Sequence, residues 1–161
     1  MVSFFFFGTL QDNDIRELVV GRSIPRQDIA KAVLRGYRCI RLSSRVQPGI
    51  VEDSEGQMQG ALVRHLDVTE AARISHCETG AYDIVLRLVD LLEDGQEKAW
   101  IFLSDPDLSV APGEWILKNW RRRHKPRSLL VAREWMSRLD HAELASLKAD
   151  WRKRCLIDSG N

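Results

Sequence analysis

The chain lacks most of the features that betray a chemistry at a glance. Its three cysteines, Cys39, Cys77 and Cys155, are odd in number and include no Cys-x-x-Cys pair. That argues against a disulfide framework and against a zinc site. Its four histidines, His65, His76, His124 and His141, show no His-Glu-x-x-His spacing, so no metal is expected. No apolar run approaches the ~20 residues that cross a bilayer. The N-terminus has neither the positive region nor the small-residue cleavage site of a secretory signal. The expectation is a cytoplasmic protein with reduced thiols and no membrane partner. An excess of one charge sign is also missing. The net charge is +1, so no global field draws the chain to nucleic acid, which is not an expected partner. Internal repeats and low-complexity linkers are absent, and nothing in the sequence fixes an oligomeric state.

What is present begins with residues Phe4 to Leu10, Phe-Phe-Phe-Phe-Gly-Thr-Leu. Four consecutive phenylalanines are too few for a membrane span and for most helices, and they read as a strand buried on both faces. Gly8 then breaks the run. A glycine there lets backbone N–H groups come close to a small anion or a polarised carbonyl. Taken alone, the stretch also suits a core strand ending in an ordinary turn.

The rest of the chain reads in order. Asp12-Asn13-Asp14 offers an N-cap for a short helix carrying Ile15, Leu18 and Val19, which Gly21 can end in a left-handed conformation. Residues 23–28 form a loop around Pro25. Residues 30–42 read as a strand pair or one long bent strand, with Gly36 at the bulge. Residues 45–56 read as a loop with a turn at Pro48-Gly49. A strand follows at 59–66. Asp67 and Glu70 form a capping box that opens a helix over 68–77, closed by Thr79-Gly80. Tyr82 to Leu92 is the strongest strand. A hairpin turn at Glu93-Asp94-Gly95-Gln96 returns it antiparallel through 98–103. After Ser104 the composition shifts to three helical segments, 112–124, 126–138 and 140–156. Trp115, Trp120, Trp135 and Trp151 lie on them and are expected to pack onto the body of the domain.

Several short motifs occur in a fixed order. Phe7-Gly8-Thr9-Leu10 comes first, then Leu34-Arg35-Gly36-Tyr37-Arg38, Gln47-Pro48-Gly49-Ile50-Val51 and Gly60-Ala61-Leu62-Val63. Cys77-Glu78-Thr79-Gly80-Ala81-Tyr82 closes the set. Over about residues 2–104 this order resembles the γ-glutamylcyclotransferase-like, or AIG2-like, family. Members of that family open with a strand ending in Tyr-Gly-Ser/Thr-Leu and carry a mid-chain glutamate, often as Tyr-Glu-Gly-x-x-Tyr. The resemblance implies an α+β fold, a small mixed β-barrel with strands near 3–7, 31–43, 59–66, 82–92 and 97–103. A helix at 68–77 is expected at its side and the last three helices over its outside. The whole chain, 1–161, is then one domain: a barrel over 1–104 and a packed helical extension over 105–161.

The resemblance also implies a reaction. In a γ-glutamyl compound the free α-amine can attack its own γ-carbonyl, closing a five-membered 5-oxoproline ring and expelling the other amine. Glu78 is implied as the general acid and base, which requires its carboxyl to rise from the reference ~4.3 toward neutrality by burial. Phe7, Gly8, Thr9, Leu10 and Tyr82 are implied around the substrate, a small γ-glutamyl compound, with no cofactor. Three positions depart from the pattern. Phe7 replaces a tyrosine, Cys77 an aromatic and Thr79 a glycine, so the leaving amine is left open. Cys77 beside His76 does not suggest a nucleophile and its base, because helix neighbours point about 100° apart. The marked charge cluster, Arg121-Arg122-Arg123-His124-Lys125-Pro126-Arg127, suits a solvated helix end. It also leaves an alternative open, a non-catalytic barrel that binds a small ligand or docks an anionic partner on 121–127.

Overall fold

Four phenylalanines can follow one another because the first strand, β1 (Val2–Phe6), is covered on both sides. In the computed structural model, which describes residues 1–78, 82–93 and 95–158 without the side chains of Tyr82 and Asp158, these rings alternate between two cores. Phe5 and Phe7 enter a barrel interior with Leu34, Tyr37, Leu62 and Ile101. Phe4 and Phe6 face outward into a second core shared with the helices. Phe4 stacks on Phe102 and meets Trp151 edge-on, with ring centroids 5.5 and 5.1 Å away. Side chains of a strand alternate between faces, so a run with no polar position requires two apolar covers.

The barrel is closed, in the order β1-β3-β2-β4-β5. The remaining strands are β2 (Ile29–Arg41), β3 (Pro48–Leu66), β4 (Tyr82–Leu91) and β5 (Gln96–Ser104). The sheet is mixed, as expected: β1 and β5 pair in parallel, the other neighbours antiparallel. β2 is one long strand whose register shifts between Arg35 and Tyr37, and Gly36 sits there at φ 79°. Gly95 (φ 88°) serves the β4–β5 hairpin, where Leu91 N–H donates to its carbonyl at 3.0 Å. Asp94, assigned to that turn, lies outside the described residues.

Two expected boundaries are corrected. Residues 48–56 are not loop but the first half of β3, paired with β2 from Pro48↔Arg41 to Glu52↔Tyr37. Glu52, Asp53 and Glu55 break the apolar alternation there. The ladder and an Arg38–Asp53 ion pair (3.2 Å) hold the strand instead. The first C-terminal helix begins at Leu117, five residues late, because Gly113 adopts φ 87° and Trp115 ties the preceding segment down by donating to Val46 O at 2.8 Å.

The helices follow their caps. α1 (Asn13–Val20) starts at Asp12, whose side chain accepts from Asp14 N–H, and ends at Gly21 with φ 96°. α2 (Val68–Cys77) carries the complete capping box of Asp67 and Glu70. After β5 come α3 (Leu117–Arg123), α4 (Lys125–Met136) and α5 (His141–Asp158). Trp120 and Trp151 are each 1% exposed in the outer core. Burying a large apolar side chain contributes roughly 2–3 kcal/mol, so these two rings fix the C-terminal helices to the barrel.

Candidate active site

The site starts where β1 ends. Gly8 has φ −111°, which any residue adopts, so its small size matters rather than backbone freedom. A Cβ there would lie 3.1 Å from the Pro48 ring. The chain then makes one tight turn, residues 9–11, ahead of α1. The carbonyls of this turn are tied down from behind. Gln11 donates its side-chain amide to Phe7 O at 2.8 Å and Gly8 O at 3.3 Å. Arg16, 2% exposed, donates to Leu10 O at 3.1 Å and Gln11 O at 3.2 Å. Among the described residues the Gly8, Thr9 and Leu10 amides have no acceptor. Such amides are the donors that an oxyanion needs.

Glu78 caps the C-terminus of α2, its N–H donating to Ile74 O at 3.0 Å. Burial pushes its carboxyl up to about 7, while Arg45 pulls the other way. The carboxyl therefore holds both protonation states near neutral pH, the condition for a group that must accept and return a proton. Phe7, Gly8, Thr9 and Leu10 line a small recess of about 30 Å³ together with Glu78, Gln47 and Pro48. Sequence positions 70 apart thus meet in one place. Tyr82 begins β4 opposite Ser104, but its side chain lies outside the described residues, as do Thr79 and Gly80.

The recess adjoins a much larger cleft of about 690 Å³, which shares Thr9, Gln47 and Glu78 with it. One side of the cleft is the Ser44–Gln47 loop. The other is a single stripe of α4: Arg127, Ser128, Val131, Ala132 and Trp135. Sequence reasoning missed this wall. The signal was present in the spacing of 127/128, 131/132 and 135, which lies on one helical face. It was obscured because that face mixes a cation, a hydroxyl and apolar groups.

The neighbours of Glu78 serve structure. Both ring nitrogens of buried His76 are held, Nδ1 by Glu143 at 2.7 Å and Nε2 by the Trp135 carbonyl at 3.1 Å. The Trp135 indole donates in return to His76 O at 2.9 Å. His76 thus links α2, α4 and α5, and it is not turned to Cys77. Burial pushes the Cys77 thiol up, away from the thiolate a nucleophile requires. The basic cluster is divided. Burial would raise the Asp12 carboxyl, but hydrogen bonds from Lys125 and Arg121 outweigh it and hold the group below its usual value. Arg121 reaches Asp12 at 2.7 Å, and Lys125 reaches Asp12 at 2.8 Å and Asp14 at 2.7 Å. Among the described residues no group of three or more His, Cys, Asp or Glu could hold a metal ion. No helix among them is long and apolar enough to cross a membrane.

A closed mixed barrel whose first-strand loop faces a helix-end carboxylate places the chain among cyclotransferase-like barrel proteins. It belongs to the gamma-glutamyl cyclotransferase, AIG2-like family, whose model matches residues 4–121. The chain is 30% identical over 140 residues to AIG2-like protein B of Arabidopsis thaliana, covering 83% of this chain and 77% of that one. With AIG2-like protein C of the same plant it shares 30% over 126 residues, covering 75% and 70%. Solved structures share the fold. An Arabidopsis thaliana protein in solution superposes with TM-score 0.61 at 22% identity, covering 83% of this chain and 80% of that one. A gamma-glutamyl cyclotransferase does so with TM-score 0.54 at 12% identity, covering 92% and 98%. Family and fold support a cyclotransferase-like enzyme at the family level.

Proposed function

We propose that the protein cyclises a small γ-glutamyl compound to 5-oxoproline and releases the amine or amino acid bound to its γ-carbonyl. The observation that carries this reading is a carboxyl raised to about 7 and facing the Phe7–Leu10 loop across one recess. The α-nitrogen of the glutamyl group attacks its own γ-carbonyl carbon. Glu78, as carboxylate, takes the proton this nitrogen sheds. The Gly8, Thr9 and Leu10 amides receive the oxyanion that forms. As the original C–N bond breaks, Glu78 returns the proton to the departing nitrogen. Atoms balance without water, because the attacking and leaving groups belong to one substrate. Both reacting groups are held in one molecule, so orientation between the loop and Glu78, where the recess meets the larger cleft, supplies much of the rate enhancement.

The test is 5-oxoproline release from a panel of γ-glutamyl amines, amides and dipeptides by the wild-type protein and by Glu78→Gln. Release by the first and not the second is expected. A folded wild-type protein that releases none from the whole panel would remove the reading.

A further inference from the structure

The cleft extends far beyond the recess beside Glu78, and its charge is one-sided. Glu78 is the only acid among its described lining residues, against Arg45, Arg127 and His124. Two cations of the 121–127 segment, Arg121 and Lys125, are bound to Asp12. Arg45 and Arg127 have no ion pair among the described residues, yet they border the cleft from its two sides, the Ser44–Gln47 loop and α4. Guanidinium groups suit carboxylates because two N–H donors match two oxygens. Farther along the same face of α4 lie Val131, Ala132 and Trp135, which offer apolar surface. α4 starts at Lys125, beyond the segment 4–121 that the family model matches.

We propose that the outer cleft is a leaving-group subsite for an apolar amino acid, whose carboxylate is taken by Arg127 with Arg45 and whose side chain lies on Val131, Ala132 and Trp135. This rests on the cyclotransferase reading above. The preferred substrate is then a γ-glutamyl dipeptide with an apolar C-terminal residue, in preference to a γ-glutamyl amine.

γ-Glutamyl-leucine and γ-glutamyl-isoamylamine differ only by the carboxylate of the leaving group, so they isolate the claim. The measurement is kcat/KM for 5-oxoproline release from each, in wild type, Arg127→Gln and Arg127→Lys, with thermal melts beside them. Wild type should favour the leucine compound roughly tenfold, the value of one charge-assisted contact at a partly exposed site. Arg127→Gln should bring that preference to within about threefold, mainly through KM, and Arg127→Lys should keep part of it. Equal use of the two compounds by wild type overturns the subsite and leaves the cyclotransferase reading standing. A tenfold preference that survives Arg127→Gln overturns the assignment to α4. Turnover of neither compound, nor of any other γ-glutamyl compound, overturns the reading and the subsite together.

Discussion

At Glu78 stability and chemistry pull in opposite directions. A buried carboxyl is raised because its charged form is poorly solvated there. A group whose folded-state value lies above its unfolded one stabilises the fold at low pH and loses that contribution as pH rises through the folded value. From the usual 4.5 to about 7, the window for Glu78 closes near pH 7. The cost above it is on the order of 3 kcal/mol at most. Glu78→Gln removes this cost, so its melting temperature should match wild type near pH 5 and exceed it by several degrees at pH 8. The same change should lower kcat by ~10²–10⁴, because Gln accepts no proton from the α-nitrogen. Wild-type kcat should rise with pH through about 7. Parallel melts at both pH values beside 5-oxoproline assays check all three. Gly8→Val acts differently. Its first added carbon already meets the Pro48 ring at 3.1 Å, and the two further methyl groups fill the space beside a recess that Gly8 and Pro48 both line. Ligand binding should fall at least tenfold by calorimetry, from loss of space rather than from backbone strain.

At the scale of elements, what the sequence showed and what it hid separate by kind of signal. Caps and apolar runs were legible: a cap within Asp12-Asn13-Asp14 and Gly21 around α1, the capping box of α2, the β4–β5 hairpin and the phenylalanine run that begins in β1. The first half of β3 was not, since its charged side chains face solvent and its order comes from pairing with β2. The α4 wall was hidden for a related reason, because its stripe faces a cleft and so need not be apolar. How α4 is held was also illegible, since Asp12 is about 110 residues from its partners Arg121 and Lys125. That pair supports a prediction. Asp12→Asn keeps an acceptor for the α1 cap but leaves two cations facing a neutral group. The loss should be on the order of 2 kcal/mol near neutral pH. The carboxyl is lowered, so its contribution is present above the usual 3.8 and lost as pH falls through the folded value. Denaturant melts of wild type and variant should therefore differ at pH 7 and converge toward pH 3.

For the whole molecule, the outer core decides whether the barrel can stand alone. That core joins Phe4 and Phe6 of β1, Trp100 and Phe102 of β5, Ile15 and Val19 of α1 and Ile74 of α2 to Trp120 and Trp151 of the C-terminal helices. Trp151 meets both Phe4 and Trp100 edge-on and donates its indole N–H to Ser75 at 2.8 Å. A chain ending at Ser104 would turn this face to water. Two tryptophans' worth of cover, roughly 2–3 kcal/mol each, and the partly buried helix residues around them would be lost. Domains hold only ~5–15 kcal/mol in total, so removing such a share is enough to unfold most of them. We therefore propose that residues 105–161 belong to the same folding unit as the barrel, although the barrel's own hydrogen-bonded strands close without them. Expressed alone, 1–104 should show no cooperative melt and should bind a dye that reports exposed apolar surface. Limited proteolysis of the full chain should not yield a stable 1–104 piece. A fragment 1–104 that melted cooperatively near the full-length temperature would contradict this. It would mean that the inner core, with Phe5, Leu34, Leu62 and Ile101, is sufficient without α3–α5.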